Sequence, residues 1–197
     1  LPNSDLKWYH KYQYIYAPIA YMSYSFYWVF IKDFVVLTQF APKEKKQQFK
    51  FYVTFVGVKL FYLLYLLVFP ILFSQQSIWI VLIAFLALHM VQSLYTLFTF
   101  FITHHVWGSK YPKVTKDGLI STSWFMNQIK SSNDFYPFSH TANFIFGGVN
   151  NHIAHHLFPH ISHYHYPKVN KVLYKLLLEN NITPNQTTYF GGVLSHL

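Results

Sequence analysis

The chain has 197 residues, 53% of them hydrophobic, 22% aromatic and only 11% charged, with fifteen lysines against six acids for a net charge of +9. A soluble domain carries about 25% charged residues, so this composition excludes a water-covered globule and indicates a one-domain membrane protein over 1–197. Arginine and cysteine are both absent, which argues against nucleic acid as a partner and excludes disulfides, thiolate metal sites and a cysteine nucleophile.

The first predicted element, 14–30, is rich in tyrosine and serine and contains Pro18. Tyrosine favours the membrane–water boundary, so this segment reads as an interfacial or re-entrant helix. Two long apolar runs follow, predicting transmembrane helices over 51–73 and 78–103. The short polar link Ser74-Gln75-Gln76-Ser77 makes them a tight antiparallel hairpin. Lys59 lies early in the first run, from where its ammonium is expected to reach the headgroups. Lys43, Lys45, Lys46 and Lys50 precede the pair, and Lys110, Lys113 and Lys116 follow it. Both ends of the hairpin are therefore expected on the cytoplasmic side, where lysines also meet anionic lipid.

Beyond Trp107 the chain turns mixed and polar, and 107–197 is predicted to form a cytoplasmic cap of short helices, about 120–130, 150–157 and 166–180. Pro159 ends the second of these, Pro167 starts the third, and Asn180-Asn181 and Pro184 stop it. The expected fold class is thus an all-α integral membrane protein, a transmembrane hairpin with a helical cap that carries a histidine-rich metal site. Leu1 is not methionine and no signal peptide is visible, as expected of a fragment or a processed piece.

Chemistry concentrates in Gly147-Gly148-Val149-Asn150-Asn151-His152-Ile153-Ala154-His155-His156-Leu157-Phe158-Pro159. Histidines at i, i+3 and i+4 share one face of a helix, and neutral imidazole is a common ligand for transition metals. His152, His155 and His156 therefore read as metal ligands. The scattered acids form no Glu-x-x-His pattern, so a metal here relies on the twelve histidines. His104 and His105 end the last apolar run, and by position they are either ligands level with the cap or markers of a helix end. His89 lies roughly four turns deeper, too far to share that metal, and reads as a satisfied buried histidine or one lining a channel. His163 and His165 are candidates to hydrogen-bond and orient ligating groups, as is Asn150. His160 reads as cap surface, and His10, His140 and His196 carry no local pattern.

The run from Gly147 to Pro159 resembles the third histidine box of membrane fatty acid desaturases, and His163-Tyr164-His165-Tyr166-Pro167 resembles the continuation seen in the acyl-lipid and linoleoyl-CoA-type branch. Trp8-Tyr9-His10-Lys11-Tyr12-Gln13-Tyr14-Ile15-Tyr16-Ala17-Pro18 resembles the stretch after that family's second box, and Thr103-His104-His105-Val106 the end of its last transmembrane helix. The resemblance selects His105 over His104 as the lone histidine that joins the metal set. It departs in having His152 where the front-end branch often has glutamine. The HxxxH and HxxHH boxes do not occur upstream of His105. The resemblance therefore implies the C-terminal half of such an enzyme, inactive in isolation.

The same resemblance implies an oxidoreductase in which two non-haem irons, held in part by His105, His152, His155 and His156, use O₂ to place a carbon–carbon double bond in an acyl chain. The substrate would be an acyl-CoA or acyl-lipid, and the external electron donor a small cytochrome or ferredoxin. Membrane lipids would surround it, in a bacterial inner membrane or the endoplasmic reticulum, with the metal on the cytoplasmic side. Phe144, Phe146, Trp107 and Trp124 are candidates to line the acyl slot, with packing the more common role for such residues. Rival readings are a histidine-box fatty acid or carotenoid hydroxylase or ketolase, a metal transporter with mid-membrane ligands, and a non-catalytic remnant.

Overall fold

The computed structural model describes residue 5, residues 7–112 and residues 114–197; Lys113, one of the orienting lysines, lies outside them. The chain divides into two compact units, Leu1–Tyr95 and Thr96–Leu197. Nearly all regular structure is helical.

In the first unit a 3₁₀ turn, Trp8–Tyr12, leads into α1 (Gln13–Met22) and α2 (Tyr24–Tyr27). A π-turn at Trp28–Lys32 then joins α3 (Asp33–Phe40). The tyrosine-rich segment is thus a broken helix, and its Ser25 lies against the middle of a longer one. The first apolar run is a continuous helical rod, α4 (Lys45–Leu63), a π-turn at Leu64–Val68 and α5 (Phe69–Phe73). The wide turn falls just ahead of Pro70, whose ring has no N–H and clashes with the carbonyl four residues back, so the ladder opens there. After the polar link, α6 (Ile78–Phe101) begins. The rod of 29 residues and α6 of 24 residues are both long and apolar enough to cross a membrane.

Several polar groups between the helices of this unit are paired. His89 on α6 is 1% exposed. Its Nδ1 meets the Ser25 hydroxyl at 2.7 Å and its Nε2 meets the Tyr62 hydroxyl. Ser93, one turn on, donates to the His89 carbonyl and accepts from the Ser25 N–H. His89 is therefore a satisfied buried histidine that ties α2 and α4 to α6. Lys59 does not extend along the helix to headgroups. Its ammonium is 2.5 Å from an Asp33 carboxylate oxygen and 2.7 Å from the Val29 carbonyl. A half-buried cation is stabilised by a nearby anion more than by an extended path to water.

The second unit holds α7 (Trp124–Ser131), β1 (Asp134–Phe135), α8 (His140–Ile145), α9 (His152–Leu157), α10 (Tyr166–Glu179), β2 (Gln186–Thr187) and α11 (Tyr189–His196). The two strands pair in parallel, Asp134 with Gln186 and Phe135 with Thr187, a small addition to the expected all-helical cap. α7 starts four residues later than the sequence suggests. Ile120 is engaged in a bridge with Val114, and the Ser123 hydroxyl caps the helix by accepting the Met126 N–H. Ile129, Ile153, Leu173 and Leu177 join α7, α9 and α10 in one apolar cluster. Ile102, Val106 and Phe135 form a second, covered by Phe146, Tyr189 and Val193.

Replacing His89 with leucine leaves the buried Ser25 hydroxyl and the half-buried Tyr62 hydroxyl without their shared partner. We expect a loss of about 1–3 kcal/mol, read as earlier thermal unfolding of the full-length protein in detergent with its metal content unchanged.

Candidate metal centre

α9 has six residues, three of them histidines. At about 100° per residue, His156 and His155 flank His152 on opposite sides of the helix face. His156 stays beside it, with the two Nε2 atoms 3.0 Å apart. His155 turns outward, exposed, with its ring 5.5 Å from that of His152 and 6.4 Å from that of Tyr166.

The third ring comes from the turn that follows α6, and it belongs to His104. Its Nε2 is 2.8 Å from that of His152 and 3.4 Å from that of His156. His104, His152 and His156 thus form a compact group able to hold a metal ion. His105, which the resemblance favours, is not brought to it. Successive residues leave a helical turn in different directions, and the His105 Nδ1 lies 2.5 Å from the Tyr111 hydroxyl. The His196 Nδ1 donates to the His105 carbonyl at 3.2 Å, and its ring stacks on Phe101. So His196, which has no sequence pattern, belongs with His105 in space.

The donor set fits a cation. The His104 Nδ1 is 2.9 Å from the Ser131 carbonyl. A carbonyl only accepts, so the proton sits on Nδ1 and the Nε2 lone pair faces the other rings. Each Nε2 carries either a proton or a lone pair, so hydrogen bonds cannot satisfy all three contacts. A shared ion does. With nitrogens about 2.1 Å from the ion, ligand pairs lie about 3.0 Å apart at a right angle and about 3.4 Å at the tetrahedral angle. The observed separations of 2.8, 3.0 and 3.4 Å fit that spacing. Burial, helped by the nearby imidazoles of His104, His156 and His155, pushes His152 down to about 2. Burial also lowers His156, so both are held neutral, the form that binds metals.

Of the residues expected to orient the ligands, Asn150 is fully buried but donates to the Phe135 and Tyr136 carbonyls rather than to a histidine. His163 packs against Gly148, and its carbonyl accepts from Asn143. His165 is exposed and stacks edge-on with Tyr164. A cavity of 310 Å³ borders the centre, walled by His152, His155, His163, Phe100, Val149 and Ile161 among others. Phe144, Trp107 and Trp124 are instead exposed, and Phe146 is packed on Tyr189.

Sequence reasoning missed Asp134. Its Oδ1 accepts the Ile153 N–H at 2.9 Å, and the His152 N–H also bonds to this carboxylate. Its Oδ2 accepts from the Tyr174 hydroxyl at 2.9 Å and from the Asn170 amide at 3.4 Å. Burial pushes the carboxyl up to about 7 against the pull of these donors. Asn151 occupies the cap position of α9 but does not cap it, because its amide donates to Asn143 and Asn150 and its carbonyl accepts from Asn170. Nothing in the sequence signals this, because asparagine is a favoured cap residue and only the structure shows Asn151 committed elsewhere.

The sequence profile described as fatty acid desaturase matches residues 2–188. An acyl-lipid (8-3)-desaturase of Physcomitrium patens is 29% identical over 180 residues, covering 89% of this chain and 37% of that protein. The sn-1 linoleoyl-lipid 6-desaturase of Arthrospira platensis is 26% identical over 200 residues, covering 99% of this chain and 54% of that protein. Acyl-lipid (8-3)-desaturase B of Dictyostelium discoideum is 25% identical over 218 residues, covering 100% of this chain and 44% of that protein. The chain spans about half the length of the curated relatives it matches, or less. No solved structure matches it.

The two glycines ahead of the motif separate a steric demand from a conformational one. A Cβ on Gly148 (φ +82°) would sit 2.4 Å from the His163 Cβ, whereas one on Gly147 (φ +58°) meets nothing within 4 Å. Gly147→Ala should cost about 1–2 kcal/mol, the left-handed penalty alone. Gly148→Ala should cost clearly more and displace the 159–165 loop, measured by thermal unfolding and by protease sensitivity of that loop.

Proposed function

This chain belongs to the fatty acid desaturase family, and on that premise we propose that its histidines hold iron in a membrane enzyme that desaturates acyl chains. The observation that carries this reading is the convergence of three Nε2 atoms, from His104, His152 and His156, within 3.4 Å of one another. Imidazole nitrogens suit iron, and a set without carboxylates leaves the ion's positive charge undiminished. When bound, the iron supplies the oxidising chemistry: O₂, two electrons and two protons are consumed, two hydrogens leave adjacent methylenes, and a double bond and two waters form.

His104 takes the part that the resemblance gives to His105. The Ser131 carbonyl fixes its tautomer and aim. The family reading has two irons, and His155, exposed beside the same cavity, is the residue of this chain best placed to serve a second one. The acyl chain is assigned to that cavity, where Phe100, Val149 and Ile161 offer apolar walls. Holding one methylene pair still and excluding water there is the protein's contribution to the reaction. An acyl-lipid is the substrate class indicated by the relatives' names. The electrons come from a small cytochrome or ferredoxin. The two long apolar helices anchor the enzyme, with the metal on the cytoplasmic side where the lysines gather.

Expressed as the full-length protein, His104→Ala and His156→Ala should each lose bound iron and reduce double-bond formation to background, while His105→Ala keeps its iron. Iron analysis together with gas chromatography of cellular fatty acids checks this. Lipids that gain an oxygen instead of a double bond would identify a hydroxylase, and iron retained in His104→Ala would remove His104 from the ligand set.

A further inference from the structure

The segment 131–134, from the last residue of α7 to the first of β1, touches both sides of the metal centre. The Ser131 carbonyl accepts the His104 Nδ1–H at 2.9 Å. The Asn133 N–H donates to the Thr103 carbonyl at 2.7 Å, and its side-chain amide donates to the Ile102 carbonyl at 2.9 Å and the Thr187 hydroxyl at 2.9 Å. One residue on, Asp134 receives the first N–H groups of α9, those of His152 and Ile153. Ser132, Asn133 and Asp134 are all 0% exposed.

His104 and His152 are 48 residues apart in sequence and 2.8 Å apart in space. Two adjacent peptide units, 133 and 134, grip the backbone on both sides of that gap. Asn133 holds the two carbonyls just before His104, and Asp134 holds the N-terminus on which His152 sits. Both side chains act from a buried link, so neither end has room to drift. The Oδ2 of Asp134 is bonded in turn to Tyr174 and Asn170 of α10, which fixes the orientation of the carboxylate.

We propose that Asn133 and Asp134 are positioning residues that set the separation of His104 from His152, and through it how tightly and in what geometry the centre takes a divalent transition metal. This rests on the reading of His104, His152 and His156 as metal ligands. A purely structural role would lower stability and leave the ligand field of a bound ion unchanged. A positioning role moves both, because a shift of a few tenths of an ångström alters the ion's angles.

The test is Co²⁺ titration of the full-length protein purified in detergent, read by visible ligand-field absorption and by competition with a chelator. Asp134→Ala and Asn133→Ala should each weaken Co²⁺ binding at least about tenfold and shift its absorption bands. His89→Leu, which removes a buried contact in the first unit, outside the centre, should lower thermal stability while the affinity and bands stay as in the wild type. If the wild type binds no Co²⁺, the metal reading fails, and this inference with it. If the wild type binds and both alanine variants bind with the same affinity and bands, the positioning role alone is overturned. Should Asp134→Ala fail to fold, Asn133→Ala decides by the same readout.

Discussion

A six-residue helix cannot hold itself together in water or in a protein interior, because too few of its N–H groups find partners within it. α9 is such a helix, and its own cap residue, Asn151, is committed elsewhere. Asp134 removes the difficulty from well upstream in the chain by accepting the first N–H groups of α9 in a site with no solvent. A buried carboxylate is costly unless donors surround it, and this one has backbone donors on one side and Tyr174 and Asn170 on the other. The same contact therefore stabilises the helix, orients the face that carries His152 and His156, and ties that face to α10.

The asparagines extend this logic. Asn143, Asn150, Asn151 and Asn170 are buried and exchange hydrogen bonds with one another or with backbone carbonyls. Networks of this kind are rigid when satisfied and costly when broken. The first unit handles its polar groups likewise, with His89 shared by Ser25 and Tyr62 and Lys59 paired with Asp33. A chain with only 11% charged residues uses buried polar groups as pins between helices.

Local pattern was legible in the sequence. The two apolar runs lie in the rod Lys45–Phe73 and in α6, and the histidine motif and the Pro167 start placed α9 and α10 within two residues. Contacts made across the chain were not legible. Whether His104 or His105 turns toward α9 depends on how the turn after Phe101 ends, and the Ser131 carbonyl, not the local residues, decides it. Asp134 looked like one of several scattered acids because its donors lie on α9 and α10. α8 and α11 were missed because short helices capped by Ser139 and Thr188 lack a long apolar period. His196 carried no pattern because its partners, Phe101 and His105, are about ninety residues away.

The central claim is that imidazoles of His104, His152 and His156 share one ion. A density map of the iron-loaded full-length protein, with anomalous scattering collected at the iron edge, tests it most directly. The account predicts a peak about 2.1 Å from the Nε2 atoms of all three. An iron peak on His105 with His104 left aside, or no peak within reach of the α9 histidines, would contradict it.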